Sequence, residues 1–475
     1  MQMISFVFFG MVGITFLSLY LVDKFIPDDR INNSISNWIL LISSYLFVLY
    51  ADYRFAAVLA ITTFVAWFFA TKKYYGVGIV LLVLSLAVFK YTNFFCESFA
   101  LILGNDFVAI SLILPLGISF YTFSAISYIV DVSRRKTKPK SLKTVALYLS
   151  FFPKFTSGPI QKSQDFFEQI EKKRDIGWNT FSLGIQIFVF GLFKKIVLAD
   201  RLSVFVNQVY ETPMVFGSLT VLLATIAYSM QIYFDFSGYS DMAIGIANIL
   251  GVKLPRNFNL PYLSRNVTEF WKRWHITLSA WLQEYVYFSL GGNRKGKHRT
   301  YINLMAVMII GGIWHGANWT YIFWGLLHGM SLIFHKLWMD VTQSDKKRNS
   351  SIGKIVSTFL TFLFITLCWI FFRATSIPHA LTIIQRLFSF EPGLEQPYLW
   401  LGISSFILIV SSILANKKSK NSLPANQKMN ISKVDAYYPL VDLSSFWGMV
   451  AFFVFCGLIL SLAHTGGSPF IYGKF

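Results

Sequence analysis

Apolar runs close to the length that crosses a bilayer recur from one end of this chain to the other. They fall near 3–22, 36–52, 54–71, 75–90, 107–132, 143–160, 177–200, 216–234, 300–315, 319–338, 353–373, 398–415 and 445–463. A helical crossing takes roughly 20 such residues. Hydrocarbon offers no partner to an unpaired backbone group, so an all-helical bundle is the economical fold. Several runs are too short or too polar to cross alone. The expectation is therefore a polytopic all-α protein with about 11 or 12 true spans and a few re-entrant or interfacial helices. Residues 1–22 lack a basic leader and a small-residue cleavage site, so they read as a first transmembrane helix.

Composition narrows the class further. The 475 residues are 55% hydrophobic and 14% charged, well below the roughly 25% charge of soluble domains. The net charge of +19 is gathered in loops such as 134–143, 294–299, 345–354 and 416–422. That pattern is expected of cytoplasmic loops in a membrane protein. No recognisable nucleic-acid module accompanies it, which leaves membrane lipids and an anionic cytoplasmic donor as expected partners, and no nucleic acid. Cys96, Cys368 and Cys456 stand at unrelated spacings in apolar surroundings. They read as packing residues, and no metal site is expected.

The texture changes along the chain. Residues 1–105 read as a transmembrane scaffold, 106–340 as the functional core and 341–475 as C-terminal helices. Within the core, FFPKFTSGPIQK (151–162) places Pro153, Gly158 and Pro159 in one apolar run. Such breakers predict a bent or re-entrant segment lining a protein-enclosed cavity. Residues 163–176 are polar and read as interfacial.

Ionisable residues inside apolar sequence mark function, because they are costly there. QIYFDFSGYSDMAIG (231–245) holds Asp235 and Asp241. They could act as paired carboxylates or orient a histidine; alternatively, Asp235 caps a new helix. His275, in EFWKRWHITLSAWL, stands after Trp274 at the entrance to a helical pattern that begins at Ile276. The local alternative is a satisfied interfacial histidine. His315, in GGIWHGAN, lies about 24 Å along a helix that starts near Arg299, deep in a hydrocarbon core of about 30 Å. Gly311, Gly312 and Gly316 clear space around it, and the GxxxG spacing fits close helix contact. Close packing explains the glycines but not a deep histidine flanked by Trp314 and Asn318. His328 has a similar glycine neighbour one span later, while His298, His335, His379 and His464 read as loop or interface residues. GGNRKGKH (291–298) has His298 where a P-loop needs Ser or Thr and follows no strand, so it is not one. Imidazole exchanges a proton near neutral pH, so these residues point to a membrane enzyme that moves a proton during group transfer.

LPLGISFYTFSAISYIVDV, FPKFTSGPIQK, QIYFDFSGYSDMAIG, NFNLPYLSRNVTEFWKRWHITLSAWL, YFSLGGNRKGK and GGIWHGANWTYIFWGLLHG span roughly residues 110–335. Together they resemble the membrane-bound O-acyltransferase family. The likeness is to its bacterial branch of alginate and peptidoglycan O-acetylation and teichoic-acid D-alanylation membrane proteins. The resemblance implies a helical bundle around a central tunnel lined by the 115–160 and 231–335 segments. It implies a catalytic His315 in the WHG motif, with His275 as the second motif position. It further implies acetyl transfer from acetyl-CoA, with no bound cofactor, in a bacterial cytoplasmic membrane. The acceptor would be an extracytoplasmic polysaccharide of the envelope or an exopolysaccharide, or an acetyltransferase- or esterase-like partner protein that modifies it. Two alternatives stay open: D-alanyl-type transfer from a carrier-protein thioester, and a non-catalytic transporter of polysaccharide or lipid-linked sugar. No inverted repeat or chain of buried carboxylates supports the latter.

Overall fold

The computed structural model describes residues 5–342, 350–396, 398–408, 410, 441–464, 466 and 470. Seven helices among them are long and apolar enough to cross a membrane. They include α1 (Phe6–Phe25), α2 (Asp29–Ala51), α3 (Tyr53–Thr71) and α4 (Tyr75–Ile102). The others are the continuous stretch Trp178–Glu211, then Ser218–Ile249 and Ser351–Arg373. The protein is thus a multi-pass membrane protein. Large side chains such as Phe6, Ile14, Ile61, Phe64 and Leu84 are exposed on these helices, as a surface solvated by lipid tails allows.

Two apolar runs are broken. The first holds a non-helical stretch ahead of α5 (Ile118–Ser133). Gly117 begins α5 with φ +71°, and a Cβ there would strike the carbonyl oxygen of Phe155. The second yields only the short α6 (Leu142–Ser150), a 3-10 turn at Phe152–Lys154 and a loop leading to α7 (Ser163–Ile170). Pro153 sits in that turn, where a helix would otherwise need its missing N–H. A break in the helix across 151–162 is thus what the backbone shows. The chain continues through α8 (Trp178–Leu192), a π-helical segment at Phe193–Ala199, α9 (Asp200–Glu211) and α10 (Ser218–Ile249). Next come α11 (Val267–Arg273), α12 (Ile276–Trp281), a second π-helical segment at Leu282–Tyr287, α13 (Gly296–His315) and α14 (Trp319–Thr342). The described helices end with α15 (Ser351–Arg373), α16 (Ile377–Phe388), α17 (Leu399–Leu408) and α18 (Phe446–Leu462). The basic cluster 416–422 and most of the polar segment 416–442 lie outside the described residues.

The chain forms two compact units. One takes in Met1–Phe190, Ser240–Pro255 and Tyr437–Gly448; the other takes in Gly191–Tyr239, Arg256–Ala436 and Met449–Phe475. In the first, Tyr148 donates from its hydroxyl to the Gln161 carbonyl at 2.7 Å, and Ser163 donates to Asp131 Oδ2 at 2.9 Å. The Ser44 hydroxyl accepts from the Phe152 amide at 3.2 Å. These bonds satisfy polar groups that the broken segment would otherwise leave bare.

In the second unit, α13 and α14 form a close hairpin. A Cβ on Gly312 would overlap the Tyr321 carbonyl, and one on Gly325 would overlap the Met308 carbonyl. The small residues therefore let the two backbones touch, as their spacing predicts.

Candidate active site

All three histidines singled out in the sequence are buried in the second unit, and the local fold explains how each is held. His315 is the last residue of α13 and is 2% exposed. Gly316 follows in an extended conformation, and a Cβ there would overlap the Tyr321 ring. The chain therefore turns away directly after His315. The His315 ring centre lies 5.0 Å from that of Trp314, and 5.1 Å from those of Trp324 and Phe372. The side chain stands in an aromatic box made by α13, α14 and α15.

His275 links α11 to α12. It is fully buried and holds φ +42°, ψ 54°, a left-handed conformation uncommon outside glycine and asparagine. Such a residue persists only where its surroundings over-determine it. Buried Asn257 does this. Its carbonyl accepts from the Ile276 amide at 2.9 Å, and its Oδ1 accepts from the Thr277 hydroxyl at 2.8 Å and the Thr277 amide at 3.3 Å. At the start of α11, Asn266 caps the helix by accepting from the Glu269 amide at 2.8 Å. His275 is thus not an exposed interfacial residue. Its ring meets Phe236 edge-on at 4.7 Å between centres and Trp314 at 6.0 Å.

His328, on α14, adjoins the same cluster. Its ring lies 4.8 Å from Trp324 and 5.1 Å from Trp271. Nδ1 accepts from the Trp271 indole at 3.3 Å, while Nε2 has no hydrogen-bond partner among the described residues. Trp274 packs between Phe258 at 5.0 Å and Trp369 at 4.9 Å. Trp314 therefore bears on both His275 and His315, and Trp324 bears on both His315 and His328. This is a buried aromatic enclosure carrying three imidazoles, each able to accept or donate one proton.

The other candidates have different places. Asn318 is half-buried and lies at the start of α14. Its Oδ1 accepts from the Thr320 amide at 2.9 Å, and its Nδ2 donates to the Thr375 carbonyl at 2.9 Å. Both ends of its amide are used structurally. Asp235 does not cap a helix, because α10 runs unbroken through it. It instead accepts an ion pair from Lys195 at 2.7 Å, and Lys195 also reaches Asp200 at 2.7 Å. Asp241 is buried further along α10. Six residues of helix turn its side chain about 120° from that of Asp235, so the two are not a facing pair. His335 meets the Thr268 hydroxyl at 2.9 Å and His379 meets the Tyr210 carbonyl at 2.8 Å.

Lys195 and Asn257 were not among the residues the sequence singled out. Lys195 sits in the π-helical segment at Phe193–Ala199, a feature frequent at functional sites. Its signal was a lysine pair inside an apolar run. Trp324, Trp369 and Phe372 carried no such signal in a chain that is 18% aromatic.

A profile of the membrane-bound O-acyltransferase family matches residues 54–377. The chain is 40% identical over 337 residues to the peptidoglycan O-acetyltransferase of Helicobacter pylori, covering 65% of this chain and 63% of that protein. It therefore spans less than two thirds of that relative's length. It is 32% identical over 501 residues to the probable alginate O-acetylase of Azotobacter vinelandii, covering 97% of this chain and 98% of the other. It is also 31% identical over 286 residues to the teichoic acid D-alanyltransferase of Streptococcus thermophilus, covering 55% and 69%.

Proposed function

Because the chain belongs to the membrane-bound O-acyltransferase family, whose profile covers residues 54–377, we propose that it is an O-acetyltransferase working across a bacterial cytoplasmic membrane. The acetyl group comes from a cytoplasmic thioester, acetyl-CoA, and passes to a hydroxyl of an extracytoplasmic polysaccharide or of a partner protein that acetylates one. Residues 106–340 are its catalytic core. The observation that supports this most is the placement of His275 and His315 against one buried indole, Trp314.

In this reading His315 is the general base. The acceptor hydroxyl gives its proton to a neutral ring nitrogen of His315 as its oxygen attacks the thioester carbonyl carbon. The carbon–sulfur bond then breaks, and the proton on His315 goes to the departing thiolate. Proton transfer of this kind contributes about 10²–10⁴-fold. His275, held in its strained turn by Asn257, orients the carbonyl and stabilises the charge that develops on its oxygen. His328, Trp274, Trp314 and Asn318 shape and support the enclosure. Asp235 supports it from α10.

The D-alanyltransferase relative favours one second reading, an aminoacyl thioester delivered by a carrier protein. The two are separated by supplying membranes containing the wild-type protein with labelled acetyl-CoA or with labelled D-alanyl carrier protein. Label from acetyl-CoA in polymer or partner protein upholds the first, and label from the carrier alone upholds the second. Transport of unmodified polymer with no label from either contradicts acyl transfer.

A further inference from the structure

α11 and α14 meet through two hydrogen bonds, and each ends on an imidazole Nδ1. The Trp271 indole donates to His328 at 3.3 Å, and the Thr268 hydroxyl meets His335 at 2.9 Å. Thr268 and Trp271 lie one turn apart on α11, and His328 and His335 lie two turns apart on α14. The contact therefore joins one face of each helix. An indole N–H only donates, so the Nδ1 lone pair of neutral His328 is taken and the ring's single proton sits on Nε2. The lone pair that a base would offer is committed to Trp271. His328 is fully buried, with Trp324 at 4.8 Å, Phe364 at 5.9 Å and, nearly parallel to it, Phe270 at 6.4 Å.

Both partners lead directly to the histidines that the proposed reaction uses. Trp271 stands four residues before His275, and its neighbour Phe270 stacks on Trp274 at 5.6 Å. His328 stands where α14 is pressed against α13, the helix that ends at His315. A Cβ on Gly325 would overlap the Met308 carbonyl, and one on Gly329 would come 2.6 Å from the Met305 sulfur. We propose that Trp271 and His328 are positioning residues. Their hydrogen bond fixes the α11–α12 turn that carries His275 against the α13–α14 hairpin that carries His315. This rests on acyl transfer through His315 and His275. It assigns His328 no proton to carry. A small misplacement of reacting groups is enough to slow turnover strongly, so the bond is read in the rate and not in donor binding.

The test compares label transfer from acetyl-CoA by wild type, Trp271→Phe, His328→Phe, His328→Asn and the double variant Trp271→Phe/His328→Phe, in membranes at matched abundance. Trp271→Phe and His328→Phe should each lower kcat roughly tenfold, the loss of one hydrogen bond, with donor KM unchanged. The double variant should lie within about threefold of the slower single one, because both remove the same bond. His328→Asn offers an amide oxygen to the indole and should stay within about threefold of wild type. Nitrogen NMR of ring-labelled histidine in nanodiscs adds a readout that needs no acyl donor, with His328→Asn identifying the signal by its loss. Wild-type His328 should be the Nε2–H tautomer, and Trp271→Phe should shift its Nδ1 signal. This covers the case in which His328→Phe does not fold. Wild-type turnover in Trp271→Phe overturns the proposal. So does His328→Asn falling as far as His328→Phe, which would make His328 a proton carrier, or a wild-type signal with the proton on Nδ1. A wild type that transfers no acetyl overturns acyl transfer itself, and with it this assignment.

Discussion

The imidazoles of His275 and His315 bear on one indole: Trp314 lies 6.0 Å from the first and 5.0 Å from the second, ring centre to ring centre. Forty residues apart in sequence, they share one aromatic wall. Groups that act as a unit lose activity non-additively. The double variant His275→Ala/His315→Ala should therefore transfer acetyl no more slowly than His315→Ala alone, within about threefold. Rate constants for the single and double variants measure this, and fully multiplicative losses would show that the two act separately.

The pH dependence has a definite sign. A base must be neutral to take a proton, and raising the pH through the ordinary histidine value of about 6.5 increases the neutral fraction. Turnover should hold or rise between pH 6 and 8. A fall across that range, at constant protein integrity, would count against His315 as base.

Asn257 fixes the turn that carries His275. Asn257→Ala removes the acceptor of the Thr277 hydroxyl and amide and keeps the carbonyl bond to Ile276. With about 1–3 kcal/mol of local restraint lost, His275 relaxes from its left-handed conformation. Turnover should drop roughly tenfold with little change in donor KM. An unchanged turnover number would show that the strained turn has no part in catalysis.

These residues mark how far the sequence could be read. The long lipid-facing helices were legible, because a bilayer imposes length and composition on each span separately. His315 and His275 stood out because polarity is rare in such sequence, and the structure buries both. The break at 151–162 was announced by Pro153 and Gly158. What sequence could not supply was partnership at a distance. Asp235 looked like a helix cap beside FSGYS, yet α10 runs through it because Lys195, forty residues earlier, takes up its charge. Trp324 and Trp369 are indistinguishable in sequence from other tryptophans until the helices bring Trp324 to His315 and Trp369 to Trp274 and Trp324.

The ion-paired triad should matter for stability. Lys195, Asp200 and Asp235 are all nearly inaccessible, and removing one partner of a buried pair costs about 3–5 kcal/mol. Lys195→Met leaves two carboxylates facing each other without a cation. Its thermal midpoint and membrane abundance should both fall sharply. Wild-type values for both would mean that the triad contributes nothing to holding π-segment and α10 together.

The α13–α14 hairpin depends on glycine at defined places. Gly325→Ala drives a methyl into the Met308 carbonyl, and overpacking of this kind costs about 1–3 kcal/mol. Gly402→Ala in α17 meets nothing within 4 Å and should be neutral or stabilising by up to about 1 kcal/mol. Thermal unfolding of the two variants side by side distinguishes close packing from a general intolerance of helical glycine substitutions. Equal losses would contradict the packing argument.

The most direct measurement is label transfer from radiolabelled acetyl-CoA in membranes carrying wild type or His315→Ala at matched abundance. Wild-type membranes should move label into extracytoplasmic polymer or partner protein, and the variant should lose at least about 10²-fold of that rate. Equal transfer by the two would contradict His315 as the residue that takes the acceptor proton.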